Sequence, residues 1–355
     1  MNPRRHACVM MLRLLVLAAV LLPRSSPAMG RRRAAEEERL RTDYRSLEEF
    51  AASSGLAAPV EIGDRIHGAS NQWVSVSIMT GSRRATVNGR LVWMSLPNLD
   101  LADRPALSRL DERKTLRPIL LPEWALPPND GEFVVLDPGH GGHDTGARGP
   151  QGSLEKTMSL DIATRIAGHL EARGVPWRMT RRDDRFVELA ERSRLAAAAR
   201  ARLFVSIHFN SGSSEEAGGV ESYALSLPGT PSSNDPEGQN APAESHPGNR
   251  FDESNVVLAY CIQQGLLDRG VGGDRGVRRA RFSVLRAAPC PAALVECGFL
   301  SNPDEEKNIL DAGHREKIAA SVTDGIMHYL NHERRADILR ETPPRTSSFD
   351  EPMTR

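Results

Sequence analysis

Short apolar runs alternate with longer helical runs from Glu132 to about Leu330, and this alternation limits the fold more than any other feature. The pattern predicts an α/β domain with a mixed, mostly parallel sheet that is flanked by helices on both faces. The predicted strands are Phe133–Asp137, Trp177–Thr180, Leu203–Ile207, Val220–Leu225, Phe282–Leu285 and Ala292–Glu296, and the predicted helices are Glu155–Arg173, Val187–Arg200, Asp252–Leu267, Pro303–Leu310 and His314–Leu330.

A small α+β domain is predicted at residues 44–128, in front of this region. Ser46, with Glu49 three residues later, has the spacing of a capping box and predicts the start of a helix. Asn88-Gly89 lies between two alternating apolar runs, which is a strong hairpin signal. Residues 126–131 are rich in proline and turn formers, so the larger domain is expected at 132–332.

Residues 1–28 have the features of an export signal. Arg4 and Arg5 precede an apolar stretch from Val9 to Leu22, and small residues up to Ala28 offer a cleavage site. The stretch is shorter than the ~20 residues that span a bilayer. We therefore expect a protein exported to the periplasm or cell envelope, without a stable membrane span after signal cleavage. A charged spacer is expected at 29–43 and a disordered tail at 333–355.

Charge and cysteine content exclude some classes of protein. Lys and Arg number 46 and so do Asp and Glu, so the net charge does not point to a nucleic-acid partner. After signal removal the chain keeps Cys261, Cys290 and Cys297, an odd number that does not suit a disulfide scaffold.

Four polar residues stand at the edges of apolar or helical runs: His140, Glu155, His208 and Glu296. Active sites of α/β sheets collect at strand ends, where three of the four are expected. Two imidazoles and a carboxylate are ligands that a catalytic zinc ion takes from protein, and a second carboxylate can handle the proton of a water molecule. The four residues predict a metallohydrolase. Cys297 follows Glu296, but successive strand residues point to opposite faces, and we expect the carboxylate to face the site.

The segment after the first strand of this domain, residues 139–144, contains three glycines and further candidate residues. Its glycines suit a metal-binding loop, whereas no Lys-Ser/Thr follows to support the competing hypothesis of a phosphate loop. His143 and Asp144 could line a substrate cleft or cap the loop. Asp137 is expected to bond local backbone or to orient a ligating histidine.

The region contains four short motifs: Asp137–Gly142, Glu155-Lys156, Ser206–Asn210 and Val295–Asn302. Together they resemble the zinc-dependent N-acetylmuramoyl-L-alanine amidases of bacterial cell-wall turnover, over roughly residues 132–330. The resemblance implies that His140, Glu155 and His208 bind zinc and that Glu296 is the general base. The implied reaction is hydrolysis of the amide between N-acetylmuramic acid and L-alanine in peptidoglycan. Asn210 and His143 are candidate substrate-binding residues, and a protein activator is a candidate partner.

Two alternatives stay open: another zinc-dependent peptidase of the cell wall, and a non-catalytic protein that binds peptidoglycan. Residues 82–122 resemble the small domain at the front of copper amine oxidases, in fold more than in activity. Residues 226–250 are rich in Pro, Ser, Asn and Gly, and we hypothesise that this loop covers and regulates the site.

Overall fold

The computed structural model describes residues 40, 42–235 and 240–341, and the chain divides into two compact units. Among the described residues, the smaller unit contains those up to Arg113 together with those between Pro228 and Glu244, and the larger unit contains Lys114–Leu227 and those from Ser245 to Glu341. The predicted signal at 1–28 and most of the predicted spacer lie outside the described residues.

The smaller unit is built on antiparallel strands, with a helix packed against them. The N-cap prediction is confirmed, because the Ser46 hydroxyl accepts a hydrogen bond from Glu49 N at 3.2 Å. The hairpin prediction is also confirmed, since Asn88 and Gly89 join two paired strands with positive φ angles of 50° and 75°. The elements are β1 (Tyr44–Ser46), α1 (Leu47–Ser53), β2 (Val60–Gly63), β3 (Ile66–Ser70), β4 (Ser75–Met79), β5 (Ser82–Val87), β6 (Arg90–Asp100), β7 (Pro105–Ser108) and α2 (Arg109–Asp111).

The segment Pro228–Glu244 belongs to the smaller unit, although it follows a strand of the larger one in the sequence. The guanidinium of Arg83 donates to the carbonyl oxygens of Pro231 and Ser232 at 3.2 and 3.1 Å. These bonds fasten the described part of this loop to the strand β5. The hypothesis that the loop covers the site stays a prediction.

The larger unit contains a sheet with the strand order β12-β11-β13-β10-β8-β9. Its neighbouring strands pair in parallel, except for the antiparallel pair β11 and β13, so the predicted mixed, mostly parallel sheet is confirmed. The elements are α3 (Arg117–Leu120), α4 (Pro122–Ala125), β8 (Phe133–Pro138), α5 (Glu155–Ala172), β9 (Trp177–Met179), α6 (Leu189–Ala198), β10 (Ala201–Asn210), β11 (Val220–Leu225), α7 (Asp252–Asp268), β12 (Asp274–Ala280), α8 (Ser283–Arg286), β13 (Ala292–Phe299), α9 (Pro303–Leu310) and α10 (Ala312–Glu341).

Helices cover both faces of this sheet. On one face, α5 and α7 contact the central strands, and α10 packs against both helices. On the other face, α6 and α8 contribute to an apolar cluster with buried strand side chains. Burial of this apolar surface is the main stabilising term for such a layered domain, at about 25 cal/mol per Å². The cluster includes Val135, Ala196, Phe204, Leu225, Val284 and Leu294.

One predicted strand is wrong. Residues Phe282–Leu285 include the start of the short helix α8, and the missing strand is β12, just before it in the chain. The sequence of β12 contains one aspartate and three arginines, so its apolar signal is weak. Pairing with β11 nevertheless buries Val277 and Ala280, and it also buries Arg279. Contacts with a neighbouring strand, rather than local composition, therefore decide this element.

Two predicted boundaries also differ from the structure. The units divide at Arg113, not at residue 128, because α3 packs against α7 and α4 packs against α10. The tail predicted at 333–355 begins too early, since α10 continues to Glu341. Glu333 is buried in that helix and accepts hydrogen bonds from Asn129 and Arg202. Residues beyond Glu341 lie outside the described part. Among the helices of the described residues, none combines the length and the apolar character that a bilayer crossing requires.

Candidate metal centre

Three side chains from separate segments meet near the ends of the parallel strands β8 and β10. His140 lies two residues after β8, Glu155 is the first residue of α5, and His208 lies near the end of β10. One donor atom from each of the three lies within 4.8 Å of the other two. The structure thus brings together the three residues that the sequence singled out as metal ligands.

Glu155 is central to this group and is only 4% exposed. Its Oε1 lies 2.8 Å from His208 Nδ1 and accepts from Phe209 N at 3.1 Å. Its Oε2 lies 3.1 Å from His140 Nε2 and accepts from Ala147 N at 2.8 Å. Burial opposes ionisation, but the hydrogen bonds and charges of both histidines hold the pKa of Glu155 well below its usual range. The positive end of α5 favours the same carboxylate form.

His140 is oriented by a neighbouring carboxylate. Its Nδ1 lies 2.8 Å from Asp144 Oδ2, so Nε2 faces the centre of the group. Burial lowers the pKa of His140, but Glu155 and Asp144 outweigh this effect and raise it overall. Asp144 therefore orients the imidazole, a role that the sequence suggests for Asp137. The Asp137 carboxylate instead contacts Thr180, Arg192 and Ser206.

The three residues fit a zinc ion in donor chemistry. Two imidazoles and an ionised carboxylate are a common ligand set for catalytic zinc. Glycines next to the group provide space for its side chains. A Cβ atom on Gly139 would overlap the imidazole of His208. A Cβ atom on Gly146 would crowd both Glu155 and His140. A hydrogen bond in which the outer ring nitrogen of a ligating histidine donates to a carboxylate, as His140 Nδ1 can to Asp144, is also typical of zinc sites.

Glu296 lies on β13 directly beside His208 of β10 in the strand register. Its Oε2 is buried and has no hydrogen-bond partner among the described residues. Burial, followed by the charges of Glu155 and Glu221, raises the pKa of Glu296 well above its usual range. The next residue, Cys297, is buried as a free thiol, and burial raises its pKa as well.

Asn210 and His143, the two candidate substrate-binding residues, are outside this cluster. Asn210 Nδ2 donates to Glu221 Oε1 at 2.6 Å, and its Oδ1 accepts from Ser211 N. His143 is exposed, and its ring centroid lies 4.2 Å from that of Phe186. Their roles in substrate binding stay predictions.

Sequence analysis missed Glu221, which pairs with Glu296 in the register of β11 and β13. Its side chain is 2% exposed and lies 3.0 Å from Nε of both Arg275 and Arg278. Tyr223 also donates to it at 2.7 Å. A glutamate inside an apolar strand was the signal that identified Glu296, and the same signal was present at Glu221.

Comparison with known proteins identifies the family of the chain. A sequence model of the family described as N-acetylmuramoyl-L-alanine amidase matches residues 134–328, which is more than half of the chain. The chain belongs to the N-acetylmuramoyl-L-alanine amidase family. This amidase family was the one that the motifs indicated, and the predicted enzyme class, a hydrolase of the peptidoglycan amide bond, is confirmed.

Individual amidases show the extent of the similarity. AmiA of Escherichia coli strain K12 is 34% identical over 225 residues, which cover 56% of this chain and 76% of AmiA. AmiC of Neisseria meningitidis serogroup B is 32% identical over 285 residues, covering 75% of this chain and 64% of AmiC. Among solved structures, the amidase AmiC2 of Nostoc punctiforme shares 32% identity at a TM-score of 0.48, over 57% of this chain and 99% of that one.

Proposed function

We propose that this amidase holds a zinc ion with His140, Glu155 and His208, and that Glu296 is the general base and acid of amide hydrolysis. The bond cleaved joins the lactyl group of N-acetylmuramic acid to L-alanine of the stem peptide. The observation that carries the proposal is the buried Oε2 of Glu296, which has no partner among the described residues and stands beside His208. Leaving a buried polar atom without a partner costs about 1–3 kcal/mol, so such an atom suggests a catalytic role.

The ion would be held by the two imidazoles and the carboxylate of Glu155. A bound zinc ion supplies a Lewis acid that polarises a carbonyl oxygen and lowers the pKa of water. Asp144 keeps the imidazole of His140 turned toward the centre. Hydrogen bonds from the backbone of Ala147 and Phe209 keep both oxygens of Glu155 in place.

Glu296 moves the proton in this mechanism. Its carboxylate accepts a proton from the water that attacks the scissile carbonyl, and its carboxyl then delivers that proton to the departing L-alanine amine. The raised pKa that follows from burial favours the delivery step, whereas a cation in the neighbouring centre favours the ionised form that accepts the proton. The two effects oppose each other, which suits a group that must both accept and release a proton.

Peptidoglycan, the proposed substrate, lies in the cell envelope. We therefore infer that the protein is exported and that residues 1–28, which lie outside the described residues, direct the export. That an activator protein binds this amidase is a separate prediction, which a binding measurement with the candidate activator would test.

The test is digestion of purified peptidoglycan by the mature chain, followed by mass spectrometry of the products. We expect release of stem peptides with a free L-alanine amine, and we expect loss of this product with a chelator or with Glu296→Gln. Glu171→Gln is the matched control, since Glu171 lies in the last turn of α5 and its carboxylate accepts from Trp177 Nε1, away from the candidate metal ligands. Cleavage within the stem peptide would instead show a different wall peptidase. Binding without cleavage by a zinc-loaded protein would contradict catalysis.

A further inference from the structure

Two arginines next to the metal centre are buried. Arg181 is 0% exposed and Arg192 is 2% exposed. Arginine is almost never buried to this extent unless its donors are paired, so the location of these donors is informative. The donors of both side chains go largely to the backbone around the candidate ligands, and neither arginine was identified from the sequence.

Arg192 holds the turn that carries His140. Its Nη1 donates to Pro138 O at 2.7 Å and to the carboxylate of Asp137 at 2.8 Å. Its Nη2 donates to the carbonyl oxygen of His140 itself at 2.8 Å. One planar guanidinium therefore fixes both ends of the Pro138–His140 turn.

Arg181 joins this turn to the segment that carries Glu155. Its Nη2 donates to Gly139 O and to Lys156 O, each at 2.7 Å, and Lys156 directly follows Glu155. Its Nε donates to Pro138 O at 3.1 Å. Between them, the two guanidinium groups bind the carbonyl oxygens of all three residues from Pro138 to His140.

The third ligand segment is connected through Asp137. This carboxylate is fully buried and accepts from Ser206 Oγ at 2.8 Å, two residues before His208 on β10. It also accepts from Thr180 Oγ1 at 2.6 Å. The ion pair between Arg192 and Asp137 thus contacts the strands on which the His140 turn and His208 are built.

The turn needs such support because His140 has a positive φ of 60°. A residue other than glycine in the left-handed region costs about 1–2 kcal/mol, and the surrounding structure has to hold it there. Arginine suits this task because its five donors lie in a rigid plane, whereas lysine offers three donors from a single point.

We propose that Arg181 and Arg192 are positioning residues that arrange the metal ligands in their binding geometry before an ion arrives. This inference rests on the zinc site of the proposed function. Because the left-handed turn is already fixed by folding, the ion does not have to drive that rearrangement, and its affinity is higher. Neither arginine touches the reacting atoms in this proposal.

The test compares Arg192→Lys and Arg181→Lys with Arg279→Lys. Arg279 is the matched control because it is 1% exposed and donates to Leu225 O and Lys114 O, away from the ligand segments. Zinc affinity is measured by competition with a chromophoric chelator, and thermal unfolding is measured on the metal-free proteins. We expect a loss of zinc affinity of about 10–100-fold for the first two variants. Arg279→Lys should lose stability and keep its affinity.

Ser206→Ala is a milder variant in case the lysine variants do not fold, since it removes one hydrogen bond to Asp137 without disturbing a charge. A smaller loss of zinc affinity is expected there, together with an altered visible spectrum of the cobalt-substituted protein. Unchanged affinity in folded Arg181, Arg192 and Ser206 variants, or an equal loss in Arg279→Lys, would overturn the positioning role. If the unsubstituted protein bound no zinc, the proposed zinc site itself would be wrong. If it bound zinc and the variants bound it equally well, only the positioning role would be wrong.

Discussion

At the residue scale, the candidate metal centre depends on glycine positions as much as on the candidate ligands. Gly139 precedes His140, and its α-carbon lies so close to the His208 ring that a Cβ atom would overlap it. Gly139 does not need a positive φ, so the requirement for glycine is purely one of space. Close packing leaves such a ring little freedom to move, particularly when its Nδ1 is bonded to Glu155.

We predict that Gly139→Ala weakens zinc binding and destabilises the protein by about 1–3 kcal/mol, because the added methyl group displaces a ligand ring. Zinc titration and urea unfolding measure the two effects. Gly168→Ala is the control, since a Cβ atom there meets no atom within 4 Å and the residue lies in the helix α5. That change should be neutral or stabilising by up to about 1 kcal/mol. Normal zinc affinity in Gly139→Ala would show that the ring can move away.

At the element scale, the helix that begins with Glu155 is tied to the last helix by an ion-pair network. Asp161 of α5 accepts from Arg165 Nε at 2.8 Å and from Arg315 Nε of α10 at 2.6 Å. Arg165 also donates to Glu316 of α10 at 2.9 Å. Burial raises the pKa of Asp161, but the two arginines outweigh that effect and lower it overall.

This shift predicts how stability depends on pH. The pKa of Asp161 is lower in the folded protein than in the unfolded chain. The ion pairs of Asp161 with Arg165 and Arg315 therefore stabilise the protein fully above about pH 4, and this stabilisation is lost as the pH falls through the folded pKa. We expect Asp161→Asn to lose about 0.2–1 kcal/mol at pH 7, since the pair is partly exposed and screened by solvent. Urea unfolding at several pH values should show the loss shrinking in acid and in high salt. A loss that is independent of both would indicate packing rather than charge.

At the scale of the whole molecule, the candidate metal centre is assembled only by folding. Its three side chains come from the loop after β8, the start of α5 and the end of β10, which are far apart in the sequence. An ion that binds the folded form and not the unfolded chain stabilises the fold by mass action.

We therefore predict that zinc at 100 times its dissociation constant stabilises the metal-free protein by about 2.7 kcal/mol. Calorimetry with zinc and with a chelator would show this as a shift of the unfolding transition. His208→Ala should remove the shift, whereas His169→Ala should keep it, because His169 pairs with Glu316 outside the centre. A zinc shift that survives His208→Ala would place the bound ion elsewhere.

The sequence by itself determined the α/β class, most of the strands and helices and the family, and it singled out the four candidate site residues. These features depend on local patterns: apolar periodicity follows from backbone geometry, and the catalytic motifs lie in short contiguous stretches at strand and helix ends. The helices α5, α7 and α9 and the strand β11 were predicted within one or two residues for this reason.

Only the tertiary structure decided which polar residues support the site. Local sequence patterns did not determine two elements, the strand β12 and the continuation of α10. They also did not determine which aspartate orients His140, or the contacts of Glu221, Arg181 and Arg192. Each depends on a partner brought near by folding: a neighbouring strand for β12, buried contacts of Glu333 for α10, and hydrogen bonds across separate segments for the side chains. A charged residue is stable in the interior only when such partners are present, and its own sequence neighbourhood does not reveal them.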